Sequence, residues 1–175
     1  MIFGFLASCA IFAIATDTDD PASKAASSTA SKQKQYKIGD TVKASDLEYK
    51  ILNVEAKKSI KSRFGGEYKP GAGQYLIIEL EIKNTGKEKV TADSNMFKIK
   101  DNDGAEYTAD SQVDTWINGT GSDSLGFFLK PINPHATKSG KVAFDVPEKK
   151  IEEFTFEGQA GMFSLDDPAV IKLVK

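Results

Sequence analysis

The sequence contains one histidine, His135, and histidine is the side chain whose ordinary pKa lies closest to neutral. Such a group acts as a general base in hydrolases when it activates a serine and is itself oriented by an aspartate. The candidate serines are Ser122, Ser124 and Ser139. The sequence has no G-x-S-x-G elbow, and a histidine in an Asn-Pro-His loop is by default solvated. The residues therefore favour a non-catalytic role for His135.

A second candidate for chemistry is the acidic stretch Asp101-Asn102-Asp103-Gly104. Clustered oxygen ligands suit calcium, but an EF-hand loop also needs a bidentate Glu at position twelve, which is Gln112 when counted from Asp101. Asp-Gly readily takes the positive φ of a type I′ turn. The stretch therefore predicts a hairpin turn, and we expect no metal and no cofactor.

Three aromatic residues are candidate ligand contacts: Tyr68, Trp116 and Phe127. Tyr68 lies in the Gly-rich stretch 64–73, which we expect to be a mobile surface loop, and loops on a rigid scaffold often carry recognition. A phosphate cradle would need a strand followed directly by a helix, whereas a strand follows here. Aromatic side chains in small β-domains are more often core residues, so the core interpretation of these three is favoured.

The only cysteine, Cys9, ends the sequence Leu6-Ala7-Ser8-Cys9. This has the form of a lipobox, in which small residues admit a signal peptidase and the cysteine thiol then carries diacylglycerol. Cys9 is thus the candidate lipidation site. A domain without any other cysteine has no disulfide and no catalytic thiolate, so packing must stabilise it.

Two features of the N-terminus keep other interpretations open. No Lys or Arg precedes the apolar run, and residues 10–15 stay apolar after the cysteine. Ala13-Ile14-Ala15 has the form of an A-x-A cleavage site that would release a soluble protein, and the run also suits the end of an uncleaved anchor. A lipoprotein, an uncleaved anchor and a secreted protein all place the domain outside the cytoplasm.

The charge balance argues against a nucleic-acid partner. Lys and Arg total 23 against 25 for Asp and Glu, and their signs are interspersed along the chain. Proteins that bind nucleic acid need a concentrated basic face to displace counterions from phosphates. We therefore expect no nucleic-acid binding.

The chain divides into three segments. Residues 1–15 form a signal peptide or membrane-anchor segment. Residues 16–35 are rich in Ser, Thr and Ala with no aromatic residue, so they cannot bury enough surface to order and are predicted to be a disordered tether. A coil of this length spans about 25 Å. Residues 36–175 are predicted to form one folded domain.

The domain has the period-two pattern of strands. In Tyr75 to Lys83, one face of the predicted strand carries Leu76, Ile78, Leu80 and Ile82, and the other carries Ile77, Glu79, Glu81 and Lys83. The first face is therefore predicted to be buried and the second to be wet. Lys141 to Pro147 repeats this pattern, with Ala143 pointing outward. In Leu47 to Ala56 the inward parity shifts, which predicts a bulge near Ile51.

Further strands are predicted at 126–130, 153–157 and 169–174, and a hairpin at Phe97, Ile99 and Glu106 to Thr108. A short helix is predicted within Ala109 to Asn118. About eight strands with almost no helical periodicity predict an all-β antiparallel sandwich.

Six sequence landmarks, in order, carry a family resemblance: residues 36–42, 47–49, 74–77, 82–88, 103–107 and 139–147. Over about residues 36 to 175 the chain resembles an exported bacterial family catalogued as domain of unknown function 4352. The resemblance implies an immunoglobulin-like β-sandwich on lipoproteins and anchored surface proteins, with no catalytic residues to transfer.

These observations favour a non-enzymatic surface protein on the outer face of a bacterial cell membrane, attached through a lipid or an apolar anchor. Its expected partners are the membrane and an envelope protein or ligand bound through the loops. The alternative is an envelope hydrolase or metal-dependent enzyme using His135 and loop carboxylates. A structural spacer, or an immunity factor acting at the membrane, is not separable from the first hypothesis by sequence.

Overall fold

The alternating apolar residues form strands in two sheets. The computed structural model describes residues 35–61, 65–118, 127–128, 131–161 and 164–175. The first sheet has the strand order β1-β11-β10-β7-β8. Its strands are β1 (Tyr36–Lys37), β7 (Phe97–Asp101), β8 (Glu106–Thr108), β10 (Phe154–Gly158) and β11 (Ala169–Lys172).

The second sheet has the order β2-β3-β6-β9, and a separate hairpin consists of β4 and β5. The strands of the sheet are β2 (Thr41–Ala44), β3 (Leu47–Lys57), β6 (Gly73–Asn84) and β9 (Thr137–Pro147), and those of the hairpin are β4 (Ile60–Lys61) and β5 (Glu67–Tyr68). One helix, α1 (Ser111–Ile117), and two 3₁₀ turns, Ser94–Met96 and Ile151–Glu153, complete the described elements.

The two sheets enclose one apolar core, which confirms the predicted immunoglobulin-like β-sandwich. The inward faces of β3, β6 and β9 meet the aromatic residues of β7 and β10, and the largest fully buried side chains include Tyr49, Phe97, Phe144 and Phe156. Tyr49 spans the layers, with its ring edge-on to Phe97 at 6.4 Å between centroids. The strand pairs are antiparallel except β1 with β11, which is parallel.

The predicted bulge in β3 is confirmed. Its register against β6 shifts between Ile51 and Asn53, so Leu52 is the extra residue, and it is exposed. Beyond the bulge Val54 is partly buried and packs on the core. An extra residue bends a strand and resets its alternation, which explains the change of parity in the sequence.

The β7–β8 hairpin is also confirmed, but its predicted turn type is wrong. The amide of Gly104 donates to the carbonyl of Asp101, and the amide of Asp101 donates to the carbonyl of Ala105. Of the turn residues only Gly104 has a positive φ, of 87°. A type I′ turn needs positive φ at both central residues, so this is the three-residue connection with a G1 bulge at the glycine.

The predicted strand at 126–130 is wrong at the two of its residues that the structure describes. Phe127 and Phe128 lie in a turn. Phe127 is only 4% exposed and its ring stacks on Phe97 at 6.2 Å between centroids. A Cβ atom built on Gly140 would lie 2.1 Å from the Phe127 ring, so glycine is required there for the ring to reach the core.

The outer face of the four-stranded sheet is not fully wet, contrary to the sequence prediction. Ile77 is 3% exposed and Ala143 is fully buried. Together with Tyr75 they form a second apolar cluster with Ile60 of the β4–β5 hairpin and Val113 of α1. Alternation along β6 and β9 predicted the two faces but not the elements that cover the second one.

Candidate functional site

Two of the three aromatic residues predicted to contact a ligand come together on this outer face. The rings of Tyr68 and Trp116 lie 5.6 Å apart between centroids at an interplanar angle of 40°. Both side chains are half-buried. We call this pair the aromatic surface. Phe127 is not part of it, because it lies in the main core, and its assignment as a ligand contact is not retained.

The hairpin and the helix position the aromatic surface. Tyr68 pairs with Ile60 across the β4–β5 hairpin, and the buried Ile60 holds that hairpin on the sheet. On α1, Val113 is buried and Ile117 packs partly on the same cluster. Residues three and four apart share a helix face, so Trp116 and Ile117 both lie near the sheet side reached by Val113. The stretch around Tyr68 is therefore a docked hairpin where described, not the open loop that was expected.

The helix also covers the outer edge of β9 through hydrogen bonds. The amide of Asp110 donates to the carbonyl of Ala143 at 2.8 Å, and the amide of Ala143 donates to Asp114 Oδ1 at 2.6 Å. Asn118 does the same for Lys141: its Oδ1 accepts from the Lys141 amide, and its Nδ2 donates to the Lys141 carbonyl, both at 2.7 Å. These three residues, Asp110, Asp114 and Asn118, form the edge cap.

Sequence reasoning missed the edge cap. Asp110 was expected only as part of a short helix, where it is the N-cap and accepts from the amides of Gln112 and Val113. A signal was available, because Asp110, Asp114 and Asn118 recur every four residues and so lie along one helix face. Polar residues that run beside an apolar stripe can pair with an exposed strand edge.

Asp114 is the most perturbed group at this site. It is fully buried, and its second oxygen, Oδ2, accepts from the hydroxyl of Ser94 at 3.0 Å. Burial raises the pKa of Asp114 to about 7, and the charge of Asp110 adds to the rise, while the bonds from Ala143 and Ser94 oppose it. No ion pair among the described residues includes Asp114.

An open groove of about 400 Å³ lies at the N-terminal end of α1. Its lining includes Tyr107 and the carboxylates of Glu106, Asp110 and Asp145. Asp145 accepts from the amides of Gly71 and Ala72, at 2.6 and 2.9 Å, which fixes the segment between the β4–β5 hairpin and β6. Its carboxylate thus has a structural role.

The acidic turn that suggested calcium holds a lysine. Lys149 Nζ donates to Asp101 Oδ2 at 2.8 Å and also to Asp103. The other oxygen of Asp101 accepts from the amides of Asp103 and Ala105, and Tyr107 donates its hydroxyl to Oδ2 at 2.9 Å. The hydrogen bond from Lys149 is the main cause that lowers the pKa of Asp101 to about 2. Lysine supplies the positive charge that a cation would have supplied.

Among the described residues, no group of three His, Cys, Asp or Glu side chains has a geometry that could hold a metal ion. His135 is exposed and has a φ of 62°. It follows Pro134 in a turn closed by the Ala136 amide on the Asn133 carbonyl, which is the position of a type II turn that favours positive φ. The hydroxyl of Ser139 donates to Glu81 Oε1 at 3.5 Å, so the structure gives Ser139 a carboxylate partner.

Several predicted features lie outside the described residues. These are the lipidation candidate Cys9, the apolar segment 1–15, the tether up to residue 34, and the serines Ser122 and Ser124. No helix in the described part of the chain is long and apolar enough to cross a membrane.

The fold and its surface define a β-sandwich domain with a helix and a hairpin packed on the outer face of one sheet. The chain belongs to the family described as domain of unknown function (DUF4352), whose model matches residues 36–167. This confirms the family resemblance of the sequence.

One curated relative is the uncharacterized protein YxkC of Bacillus subtilis (strain 168). It is 27% identical over 133 residues, which cover 74% of this chain and 73% of that protein. The match therefore extends over most of both chains.

Two solved structures have a similar fold. The YjhA protein from Bacillus subtilis superposes with a TM-score of 0.59 at 18% identity, covering 80% of this chain and 100% of that one. The secreted protein MPT63 from Mycobacterium tuberculosis has a TM-score of 0.54 at 18% identity, covering 79% and 95%. At this identity the likeness establishes the shared β-sandwich fold.

Proposed function

We propose that this chain is an exported, non-enzymatic binding protein of the bacterial envelope that contacts a protein or envelope ligand through the aromatic surface of Tyr68 and Trp116. The observation that carries the proposal is that these two rings contact each other at a tilted angle while both remain half-exposed. Tyr and Trp are enriched at the energetic centres of interfaces because they bury much area and lose little conformational entropy.

The surroundings support binding rather than catalysis. Tyr68 packs on the buried apolar cluster that contains Val113, and Trp116 lies on the same helix as Val113. The shape of the aromatic surface is therefore largely set before a ligand arrives, which lowers the entropic cost of association. Two carboxylates near α1 have structural roles: Asp110 caps α1, and Asp145 accepts from two backbone amides.

Export and membrane attachment are parts of the same proposal. The lipobox form of residues 6–9 and the apolar run around it support a lipid on Cys9 or an apolar anchor. The structural neighbour MPT63 is described as a secreted protein, which is consistent with an extracytoplasmic domain. Labelling cells with a clickable fatty acid tests the lipid: we expect label on the wild type and none on Cys9→Ala, and an unlabelled wild type would reject lipidation.

The binding surface is tested by site-specific photo-crosslinking of the full chain in its cells. A benzophenone side chain at position 116, which replaces the Trp116 ring by another large aromatic group, should form a crosslinked adduct, and the same group at position 170 should not. Val170 is the matched control because it is an exposed apolar residue on the other sheet. Equal adducts from both positions, or none from 116, would contradict the proposal.

The energetic contribution of the aromatic surface is measurable once the adduct identifies the ligand. Truncating an interface aromatic residue at an energetic centre costs about 2 kcal/mol or more, which is about 30-fold in Kd. Tyr68→Ala and Trp116→Ala are expected to weaken binding by at least this factor, and Val170→Ala to leave it within about twofold.

A further inference from the structure

The edge cap performs the role that a neighbouring strand would perform. At a free sheet edge, backbone amides and carbonyls are unpaired and open to other chains. Here the amides and carbonyls of Lys141 and Ala143 are paired by the Asp110 amide and by the side chains of Asp114 and Asn118. The hydrogen bonds that attach α1 to β9 therefore come from one backbone amide, one buried carboxylate and one amide side chain.

We propose that the edge cap is pH-sensitive: α1 stays docked on β9 while Asp114 carries a proton, and it is released in a growing fraction of molecules as Asp114 ionises. In the docked state Asp114 is fully buried. Release returns its carboxylate to water, where the charge is stabilised. The edge of β9 and the apolar residues beneath α1 become exposed at the same time.

The protonated form suits the observed geometry. Asp114 Oδ1 can keep accepting from the Ala143 amide, while a proton on Oδ2 can be donated to the Ser94 hydroxyl, which lies 3.0 Å away. A hydroxyl both donates and accepts. Only the Ser94 hydroxyl hydrogen has to rotate when the proton is bound, because Ser94 then accepts where it had donated.

Within the described part of the chain, no positive charge compensates the ionisation of Asp114. On α1 the nearest acidic neighbour along the helix face is Asp110, and its like charge disfavours the carboxylate. The strand β9 carries Lys141 and Asp145 on either side of Ala143, and the 3₁₀ turn that contains Ser94 is preceded by Asp93. On the described strands of the β4–β5 hairpin the charged residues are Lys61 and Glu67. Of the charged groups on these elements, Asp110 is the one that acts on Asp114.

The helix has little stability of its own. It is seven residues long, and helices of this length are marginal in water unless packing stabilises them. Its packing comes from Val113 and partly buried Ile117 on the outer cluster. A short element attached through a few contacts opens locally more easily than the whole domain unfolds.

Trp116 reports on this opening directly, because it is the only tryptophan of the chain and lies on α1. We expect its fluorescence to change between pH 5 and 8. Hydrogen exchange of the Ala143 amide, corrected for intrinsic chemistry, should lose protection about tenfold per pH unit up to pH 7 and then level off. No ligand is needed, so this result is independent of the proposed binding function.

Two variants test whether Asp114 causes the pH dependence of Ala143 protection. Asp114→Asn keeps the shape without the charge, and we expect its Ala143 protection to be constant with pH. Ser94→Ala removes a hydrogen bond that is stronger to the charged carboxylate than to the neutral acid, so its loss of protection should continue to higher pH before levelling. Constant protection in the wild type, or a wild-type slope in Asp114→Asn, would overturn the proposal.

Two further variants serve as controls. His135→Asn removes the only histidine and keeps a residue that tolerates positive φ. Asp167→Asn removes an exposed carboxylate and so makes the same charge change elsewhere. Both should retain the wild-type slope, and a flat response in His135→Asn would assign the transition to the histidine and reject the edge cap.

The consequence for binding rests on the proposed function. Since Trp116 lies on α1 and Tyr68 on the hairpin, release of α1 separates the two rings of the aromatic surface. Crosslinking from position 116 should then decrease from pH 6 to pH 8 in the wild type and stay constant in Asp114→Asn. If exchange shows release while crosslinking is absent at every pH, the edge cap stands and the binding surface fails.

Discussion

At the scale of single residues, Gly140 shows how one position without a side chain arranges the core. Its closeness to Phe127 lets that ring stack on Phe97, although Phe127 lies in a turn outside both sheets. An added methyl group at Gly140 would overlap the ring at 2.1 Å. The glycine therefore has a packing role, not a conformational one.

We expect Gly140→Ala to destabilise the domain by about 1–3 kcal/mol, the usual cost of overpacking a filled core. Urea unfolding of Gly140→Ala and of the wild type measures this difference in the free energy of unfolding. Gly161→Ala is the matched control, because a Cβ atom there has no neighbour within 4 Å. If both variants unfold at the same urea concentration, the Phe127 ring does not occupy the position described.

At the scale of elements, the turn of the β7–β8 hairpin is stabilised by the Asp101 carboxylate and its bond to Lys149. Asp101 accepts from Lys149, Tyr107 and two backbone amides, and its pKa is lowered to about 2, mainly by Lys149. A carboxyl with a lowered pKa stabilises the folded state above its unfolded pKa, near 4. That stabilisation is lost as the pH falls towards 2.

Asp101→Asn tests this contribution. The variant should melt at a lower temperature than the wild type at pH 7, and its melting temperature should fall less between pH 4 and pH 2. Thermal melts followed by circular dichroism at several pH values measure both effects. Asp167→Asn should follow the wild-type curve, and an unchanged acid limb in Asp101→Asn would show that Lys149 does not hold this carboxylate.

The elements differ in how far the sequence predicted them. The strand β6 was predicted because alternation is a local pattern that burial of one face imposes. The burial of Ile77 on its other face was not predicted, because it depends on the docking of α1 and the β4–β5 hairpin, which is not a local pattern. The bulge at Leu52 was visible as a change of parity. The turn type at Gly104 was not visible in the sequence, since Asp-Gly suits two hairpin geometries.

In the candidate site, too, the sequence predicted residue types but not the contacts that depend on tertiary packing. Tyr68 and Trp116 were selected by residue type, but their contact arises only when the hairpin and α1 dock on the same sheet face. Asp114 was missed because charged residues in short helices are usually solvated, and nothing local indicates burial. The Lys149 partner of Asp101 is 48 residues away in the chain, so local spacing suggested a metal site where a distant side chain supplies the charge.

At the scale of the whole molecule, two carboxyls with opposite shifts shape the dependence of stability on pH. Asp101 contributes stability that disappears below about pH 4. Asp114, whose pKa is raised to about 7, favours folding fully below its unfolded pKa near 4, and this contribution is lost as the pH rises through 7. The domain is therefore expected to be most stable in mildly acidic solution.

The size of the stability loss that Asp114 causes as the pH rises follows from linkage between protonation and folding. Between pH 5 and pH 7 each pH unit removes about 1.4 kcal/mol of stability from a carboxyl that titrates near 7 when folded and near 4 when unfolded. We therefore expect the free energy of unfolding of Asp114→Asn, measured with urea, to rise relative to that of the wild type by roughly 3 kcal/mol between pH 5 and pH 8. Asp167→Asn should gain nothing. A constant difference between Asp114→Asn and the wild type would mean that Asp114 is ionised in the folded domain throughout this range, because the slope arises only while the folded domain keeps a proton that the unfolded chain has lost.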